Sequence, residues 1–405
     1  MTTGLDVTHG VQALILAGGQ GERLYPLTAS RPKPAVPFGG VFRIVDFTLS
    51  NCLNSGLSRV SLLTQYKHEQ LQAYIEQSWT GLWAEMKRDD LKCIPPSGGN
   101  RYRGTADAVL QNIEELPRTG TEQVLILAAD HVYRMDYRRL LRHHNETHAD
   151  LTVASVDHSL AGARRFGVLE VDAKSEVVGF EEKPSNPRSR SISMGIYVFR
   201  REVLVKALKR VCSEDNGYDF GQHIIPSLVG SARVHAYHFG NEARGLPSYW
   251  RDIGTLDSYY EASMDLVSGE TPFDPYSTEE WPTYPVRYST LSPIHSRLRT
   301  NCRVTRSILS PGVLVEDGAS IESSVLMSGA RIGKDTRIRK AIIEEGVHIP
   351  AGFQIGFDLD SDRKHYFVTD AGVVVVSQTP KHTRPTVESV PMQARHLRVV
   401  SSRVA

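Results

Sequence analysis

Residues 12–24 read QALILAGGQGERL: an apolar run, Gln12–Leu16, passes straight into a glycine-rich turn. A strand covered on both faces has no need to alternate polar and apolar residues, so a continuous run ending in glycines reads as a buried parallel strand feeding a βα turn. Similar short runs follow at Val60–Thr64 (VSLLT), Val124–Ala128 (VLILA), Leu151–Val156 (LTVASV) and Ile196–Phe199 (IYVF). The segments between them are long enough for helices. In one, HEQLQAYIEQSW (68–79), Leu71, Tyr74, Ile75 and Trp79 share a helical face. Alternating strands and helices predict an α/β domain with a mostly parallel sheet, whose ligands sit beyond the carboxyl ends of the strands.

After about Ser268 the pattern changes to a stretch rich in proline and aromatics, GETPFDPYSTEEWPTYPVRYSTLSP. Beyond it a repeat is countable. Leu298, Val315, Ile332 and Ile349 are each 17 residues apart, as are Val304, Ile321, Ile338 and Ile355. Ile308, Val325 and Ile342 keep step, and Gly312, Gly329 and Gly346 mark one corner of each copy. Three short apolar edges per copy predict a triangular β-helix of about three coils. The expected organisation is a catalytic domain over 1–268, a linker over 269–296, a β-helix over 297–379 and a polar, basic tail over 380–405.

Composition narrows the function classes. The chain has 405 residues, and its 47 Lys plus Arg against 46 Asp plus Glu create no field that would draw it to nucleic acid or an acidic membrane surface. Cys52, Cys93, Cys212 and Cys302 are scattered without a CxxC, which fits a reducing compartment and argues against a disulfide framework or a structural zinc site. MTTGLDVTHG lacks the basic and apolar regions of a signal peptide, and no run approaches the roughly 18 apolar residues of a membrane span. The expectation is a cytoplasmic enzyme with no membrane and no nucleic-acid partner.

Four places carry candidate chemistry. In Gly18-Gly19-Gln20-Gly21-Glu22-Arg23 the glycines let backbone N–H groups approach a phosphate, while Arg23 adds a delocalised charge. Alone, the turn is also a plain tight βα connection, being neither Walker A nor GxGxxG. Lys33 lies within RPKPAVPFGG, where flanking prolines limit the positions its ammonium can reach. Asp130 closes VLILAA, and Asp252 stands in YWRDIGT. Two such carboxylates can share a magnesium ion that bridges phosphate oxygens. Singly, each reads equally as a helix cap or a salt-bridge residue.

Taken in order, LAGGQGERLYPLT, RPKPAVPFGGVFRIVDFTLSN, YRGTADAV, DHVYRMDY, FEEKP, SMGIYVF, DFG and YWRDIGT, followed by the β-helix repeat, resemble the ADP-glucose pyrophosphorylases (glucose-1-phosphate adenylyltransferases) among the sugar-1-phosphate nucleotidyltransferases, from about Val11 to about Val376. The resemblance implies a Rossmann-like catalytic domain followed by a left-handed β-helix, acting as a homo-oligomer (dimer or tetramer). It implies Mg2+ on Asp130 and Asp252, and a catalytic set of Arg23, Lys33 and Asp130. The nucleoside triphosphate would lie on Leu16, Ala17, Gly18, Gly19, Gly21 and Arg23, with Ser97, Gly98, Gly104, Thr105 and Asp130 completing its site. The sugar phosphate would lie on Tyr102, Gly167, Glu182, Lys183, Ser193, Tyr197, Asp219, Phe220 and Trp250. Without the resemblance, Lys183 reads as a solvated loop lysine. The implied reaction is in-line attack of a sugar 1-phosphate oxygen on the α-phosphorus of the nucleotide, releasing pyrophosphate.

This chain departs from the family at three points. Where adenylyltransferases carry PAQQ, it has Ile94-Pro95-Pro96-Ser97-Gly98-Gly99, removing the amide that suits adenine. ATP and GTP both stay open. Ser30 stands where many bacterial members have an activator-binding lysine, and the segment between FEEKP and SMG is short. A second branch, the guanylyltransferases that activate valienol 1-phosphate in aminocyclitol antibiotic pathways, shares these traits, so a cyclitol 1-phosphate stands beside a hexose 1-phosphate as the acceptor. A silent regulatory subunit would lose Arg23 or Asp130, and both are present. A β-helix acyltransferase would need a histidine in the coils, where only His348 occurs.

Overall fold

The computed structural model describes residues 7–96, 101–113, 120–213, 217–240, 249–269, 273–277, 281–284 and 297–379. Ser97, Gly98, most of the expected linker and the expected tail lie outside the described residues.

The first part of the chain forms strands β1 (Val11–Ala17), β2 (Arg59–Thr64), β3 (Asp90–Ile94), β4 (Gln123–Ala128), β5 (His131–Tyr133), β6 (Leu151–Asp157), β7 (Gly167–Val171), β8 (Val177–Glu182), β9 (Ser191–Arg200), β10 (Val234–His238) and β11 (Trp250–Asp252). A nine-stranded sheet runs β8-β7-β9-β4-β1-β2-β3, with β6 and then β10 attached to β9. Its centre is parallel: β4, β1, β2 and β3 all run the same way. The apolar runs supply it, with Ala13, Ile15, Val60, Leu62, Leu125 and Leu127 fully buried. IYVF is the exception to the parallel reading, because β9 runs antiparallel to β4, β6 and β7. Apolarity reports burial on both faces and carries no information on direction.

Six helices matter for the site and its support: α1 (Ile44–Asn54), α2 (His68–Ser78), α3 (Thr105–Gln111), α4 (Tyr137–Glu146), α5 (Arg201–Ser213) and α6 (Leu256–Ser268). The face expected on α2 is the buried one, with Leu71, Tyr74 and Ile75 in the core and Trp79 at its C-terminal cap. Tyr74 and Trp79 both donate to the fully buried carboxylate of Asp46 on α1, at 2.7 and 2.9 Å. Burial pushes that carboxyl up to about 6 against the pull of these donors. Arg43, whose N–H also donates to Asp46 at 2.7 Å, reaches back to the carbonyl of Ala35 at 3.2 Å. This chain of bonds braces the segment that carries Lys33.

The last part is a three-sided parallel β-helix whose strands stack in the register of the repeat. Leu298 pairs with Val315, Val315 with Ile332, and Ile332 with Ile349. Val304, Ile321, Ile338 and Ile355 form the second side, and Ile308, Val325 and Ile342 the third. Corners also repeat every 17 residues, in left-handed backbone conformation: 301, 318, 335 and 352; 306, 323 and 340; 312, 329 and 346. Glycine takes the third corner in every copy, where a positive φ costs it nothing. Arg306, Ser323 and Lys340 hold φ of 47°, 46° and 50°, which L-residues adopt only when stacked neighbours over-determine them.

The two parts share a core. Phe38, Phe42, Phe47, Tyr259 and Tyr260 pack in one cluster with Ile308, Val325, Met327 and Ile342 of the coils. Tyr260 donates to the carbonyl of Ser323 at 2.7 Å, and Arg31 pairs with Glu345. Ile321 is fully buried within the coils. Ile321→Ala removes apolar volume from a stack that relaxes only partly, and should cost about 2–5 kcal/mol, read as a lowered thermal unfolding temperature. An unchanged transition would mean that the coil interior is not the tight stack described.

Candidate active site

A cavity of about 480 Å³ opens beyond the carboxyl ends of β1, β2 and β4, where an open α/β sheet places its ligands. Leu16, Gly18 and Gly19 form one wall, and Tyr102, Gly104 and Thr105 another. Asp130 lies at the inner end, and Glu182, Tyr197, Asp219 and Phe220 close the far side. Residues from seven separate sequence segments thus meet at one opening.

The glycine turn is shaped by close approach. Gly21 has φ 68°, and a Cβ there would fall 2.9 Å from the Cβ of Lys33 and 3.2 Å from Thr28. Only glycine lets the Lys33 segment pack this close. A Cβ on Gly19 would meet nothing within 4 Å, so that backbone is open to a ligand. Ala17 is buried at the end of β1 and stands under the turn. Arg23 follows in a short 3-10 turn, exposed, with its guanidinium beside Gly254.

Lys33 enters the site from a proline-flanked turn, its side chain only 10% exposed. Its Nζ lies 2.7 Å from Asp130 Oδ2 and 3.5 Å from Asp252 Oδ1. Burial works to raise the Asp130 carboxyl, but the Lys33 ammonium and then His131 outweigh it, and the group is held down at about 2. Asp252 comes from β11, paired antiparallel with β5 so that it stands opposite His131. A Cβ on Gly254 would sit 2.8 Å from Asp252 Oδ2, so glycine gives that carboxylate room.

The two carboxylates, with an ammonium already held between them, are a hard-oxygen donor set that fits a divalent cation. Among the described residues, no group of three or more His, Cys, Asp or Glu forms a self-sufficient metal centre. Phosphate oxygens of a ligand would therefore have to complete the coordination, as they do for Mg2+ held by one or two carboxylates.

On the far side, Glu182 Oε1 lies 3.0 Å from Lys183 Nζ, and Lys183 holds a left-handed φ of 50° with its side chain 60% exposed. Glu182 Oε2 rests in a notch: a Cβ on Gly221 would come within 2.5 Å of it, and one on Gly167 within 2.9 Å. Asp219 accepts from Thr105 Oγ1 at 2.9 Å and caps the turn after it through Gln222. Phe220 is buried against Tyr197, with ring centroids 5.9 Å apart.

Several residues named from the sequence stand behind the wall. The Ser193 hydroxyl donates to Tyr197 and accepts from the Gly195 N–H, so it braces the tyrosine. The Trp250 ring is edge-on to His131 at 5.1 Å and to Phe166 at 5.6 Å. Gly167 makes space for Glu182. The Tyr102 hydroxyl is committed to the Ile94 carbonyl and to Asn112, at 3.1 and 2.9 Å.

Other lining residues escaped the sequence reading: Leu63, Gln65, Ala108, Ala128, His131, Gly195 and Gly221. Gln65 was findable, since it directly follows the VSLLT run at a strand's carboxyl end, as Gly18 follows β1. Its Oε1 accepts from the Tyr102 N–H. His131 adjoins Asp130 in sequence, but only the β5–β11 pairing brings it to Asp252.

The parallel sheet carries the glycine turn and Asp130 at its carboxyl ends, with Lys33 and Asp252 brought in beside them, and residues 12–269 match the nucleotidyl transferase family, which makes the chain a nucleotidyltransferase. Residues 296–376 match the GlmU-like C-terminal hexapeptide family. The chain is 41% identical over 395 residues to a glucose-1-phosphate adenylyltransferase of Koribacter versatilis (strain Ellin345), covering 90% of this chain and 94% of that one. It is 40% identical to a glucose-1-phosphate adenylyltransferase of Rhodopirellula baltica, covering 90% and 89%. The protein of that name from Methylococcus capsulatus is 39% identical, covering 92% and 94%. The chain belongs to the glucose-1-phosphate adenylyltransferase family of nucleotidyltransferases. No helix among the described residues is long and apolar enough to cross a membrane.

Lys33→Met should let burial dominate at Asp130. Its carboxyl, followed by carbon-13 NMR, is expected to titrate well above the wild-type value of about 2. A depressed carboxyl stabilises the fold above its unfolded value of 3.8 and loses that contribution as pH falls toward 2, so the variant should lose this acid-side slope. An unmoved Asp130 titration would remove Lys33 as the cause.

Proposed function

We propose that this enzyme transfers the adenylyl group of ATP to glucose 1-phosphate, with Mg2+ on Asp130 and Asp252, giving ADP-glucose and pyrophosphate. The observation that carries the reading is Lys33 held between Asp130 and Asp252 at the mouth of the glycine turn. The adenylyltransferase relatives support the substrates. So does Gln65: a Cβ on Gly18 would touch its Cβ at 3.3 Å, so an amide lines the cavity beside the nucleotide turn despite the altered Pro95–Gly99 segment. Gln65 Oε1 is engaged by the Tyr102 N–H, so the amide NH2 is the group it can turn to an adenine ring nitrogen. No comparison favours GTP or a cyclitol phosphate.

The glycine turn, with its open backbone at Gly19, receives the triphosphate, and Arg23 and Lys33 neutralise its charge. Glu182, in its glycine notch, accepts from sugar hydroxyls, with Lys183 beside it on the sugar phosphate. Tyr197 and Phe220 present an apolar platform to the ring. Attack needs no covalent enzyme intermediate, so catalysis reduces to in-line positioning and to offsetting the repulsion between two phosphate-bearing reactants. The divalent cation, when bound, supplies charge neutralisation at the α-phosphoryl oxygens and the leaving pyrophosphate. Asp130 and Asp252 would hold it, and the Lys33 ammonium is within reach to serve the phosphates. Shared packing of coil and catalytic domain supports the coils as a structural element, and the family resemblance adds a subunit-joining role in a homo-oligomer.

Pyrophosphate release from purified protein, with ATP and GTP tested separately against glucose 1-phosphate, is the direct test. Strong turnover with ATP is expected, and activity confined to GTP or absent with glucose 1-phosphate would overturn the substrate assignment. Asp130→Asn should lower turnover about 10³-fold or more. Gly221→Ala, which displaces Glu182, should raise KM for glucose 1-phosphate at least several-fold while leaving KM for ATP in place. An equal rise in both would mean that Glu182 does not read the sugar.

A further inference from the structure

The sequence reading assigns nothing to His131, yet the fold gives it a singular place. β5 and β11 form a two-stranded antiparallel pair in which His131 stands opposite Asp252, while Asp130 is its chain neighbour. Its side chain is 10% exposed, and its Nε2 lies 3.5 Å from Asp130 Oδ1 and 3.8 Å from Asp252 Oδ1. Lys33 Nζ takes the other oxygen of Asp130, at 2.7 Å, and reaches the same Asp252 Oδ1 at 3.5 Å. The two carboxylates are therefore bracketed by two nitrogens, one on each side of Asp130.

The brackets differ in freedom. Lys33 sits at the end of four methylenes, whereas the imidazole is pinned by the edge of Trp250 at 5.1 Å, itself backed by Phe166. The ring's Nδ1 faces the buried side and has no hydrogen-bond partner among the described residues. Whatever polar work the ring does is done at Nε2, on the cavity side.

We infer that His131 is a positioning residue, whose fixed Nε2–H keeps the Asp130 and Asp252 carboxylates convergent when Lys33 leaves them for the nucleotide phosphates. This rests on the reading of the two aspartates as cation ligands. Two facing carboxylates repel, and a mobile lysine cannot both restrain them and serve the phosphates. Contacts of 3.5–3.8 Å are long for hydrogen bonds, as expected where the partners close up only around a bound ligand.

The test is Mn2+ binding to the full-length protein, read by EPR from the free-ion signal with ATP present and sugar phosphate absent, so that nothing turns over. His131→Phe keeps a ring against Trp250 without the N–H, and His131→Gln returns an N–H without the ring. The Phe variant is expected to bind Mn2+ about tenfold or more weakly, with its thermal unfolding unchanged, and the Gln variant to recover most of the affinity. Should the Phe variant fail to fold, His131→Met is the second donor-free replacement. Wild-type Mn2+ affinity in a folded donor-free variant, or a Gln variant as weak as the Phe variant, overturns the inference. Asp130→Asn separates the two levels. If it too binds Mn2+ normally, the cation reading itself has failed; if only Asp130→Asn loses affinity, the role of His131 alone is wrong.

Discussion

Three side chains separated by 97 and 219 residues along the chain meet where the Lys33 ammonium sits between Asp130 and Asp252. Two carboxylates drawn this close, partly out of water, would repel each other, and the lysine offsets that repulsion. Much of the surrounding structure serves to bring that lysine in. The glycine at 21 lets its segment approach, prolines fix its turn, and the buried Asp46 with Arg43 braces the turn from behind.

The sheet supplies the opposite constraint. β1, β2 and β4 are buried on both faces and deliver the glycine turn, Gln65 and Asp130 to one edge. Asp252 comes from elsewhere, on the small β5–β11 pair, which is locked by antiparallel register to His131 and Tyr133. On the far side of the cavity the geometry is set by absence of side chains: Gly167 and Gly221 leave the space that Glu182 Oε2 fills. Glycines here define a carboxylate's position as firmly as hydrogen bonds would.

The β-helix is bound to this machinery through a common apolar cluster. α6, which follows directly from the Asp252 loop, buries Tyr259 and Tyr260 against the coils, and Tyr260 anchors its hydroxyl on the left-handed corner at Ser323. Strain at the non-glycine corners is carried by stacking, since each coil's register dictates the next. A change in the coils can therefore reach the strand that bears Asp252 through packed side chains, without any mobile linker.

Local pattern was enough for much of this. Continuous apolar runs revealed the buried strands, because burial on both faces removes the need for alternation, and the 17-residue repeat revealed the coils, because each side chain must stack on its counterpart one turn below. Gly18, Lys33, Asp130 and Asp252 were each open to a plain structural reading when taken singly, and drew notice only together and through the family resemblance. Strand direction was not legible, as β9 shows, because apolarity has no polarity of its own. Nor was the division between lining and support: Ser193 shares a motif with the lining Tyr197 yet braces it, while Trp250 packs on His131 and Gly167 makes room for Glu182. His131 beside Asp252, Gln65 beside Gly18, and Gly221 beneath Glu182 are contacts between distant segments, made by sheet register and close packing. Composition and periodicity determined which elements exist; only tertiary structure decided which side chains meet, because that depends on distances that no single segment encodes.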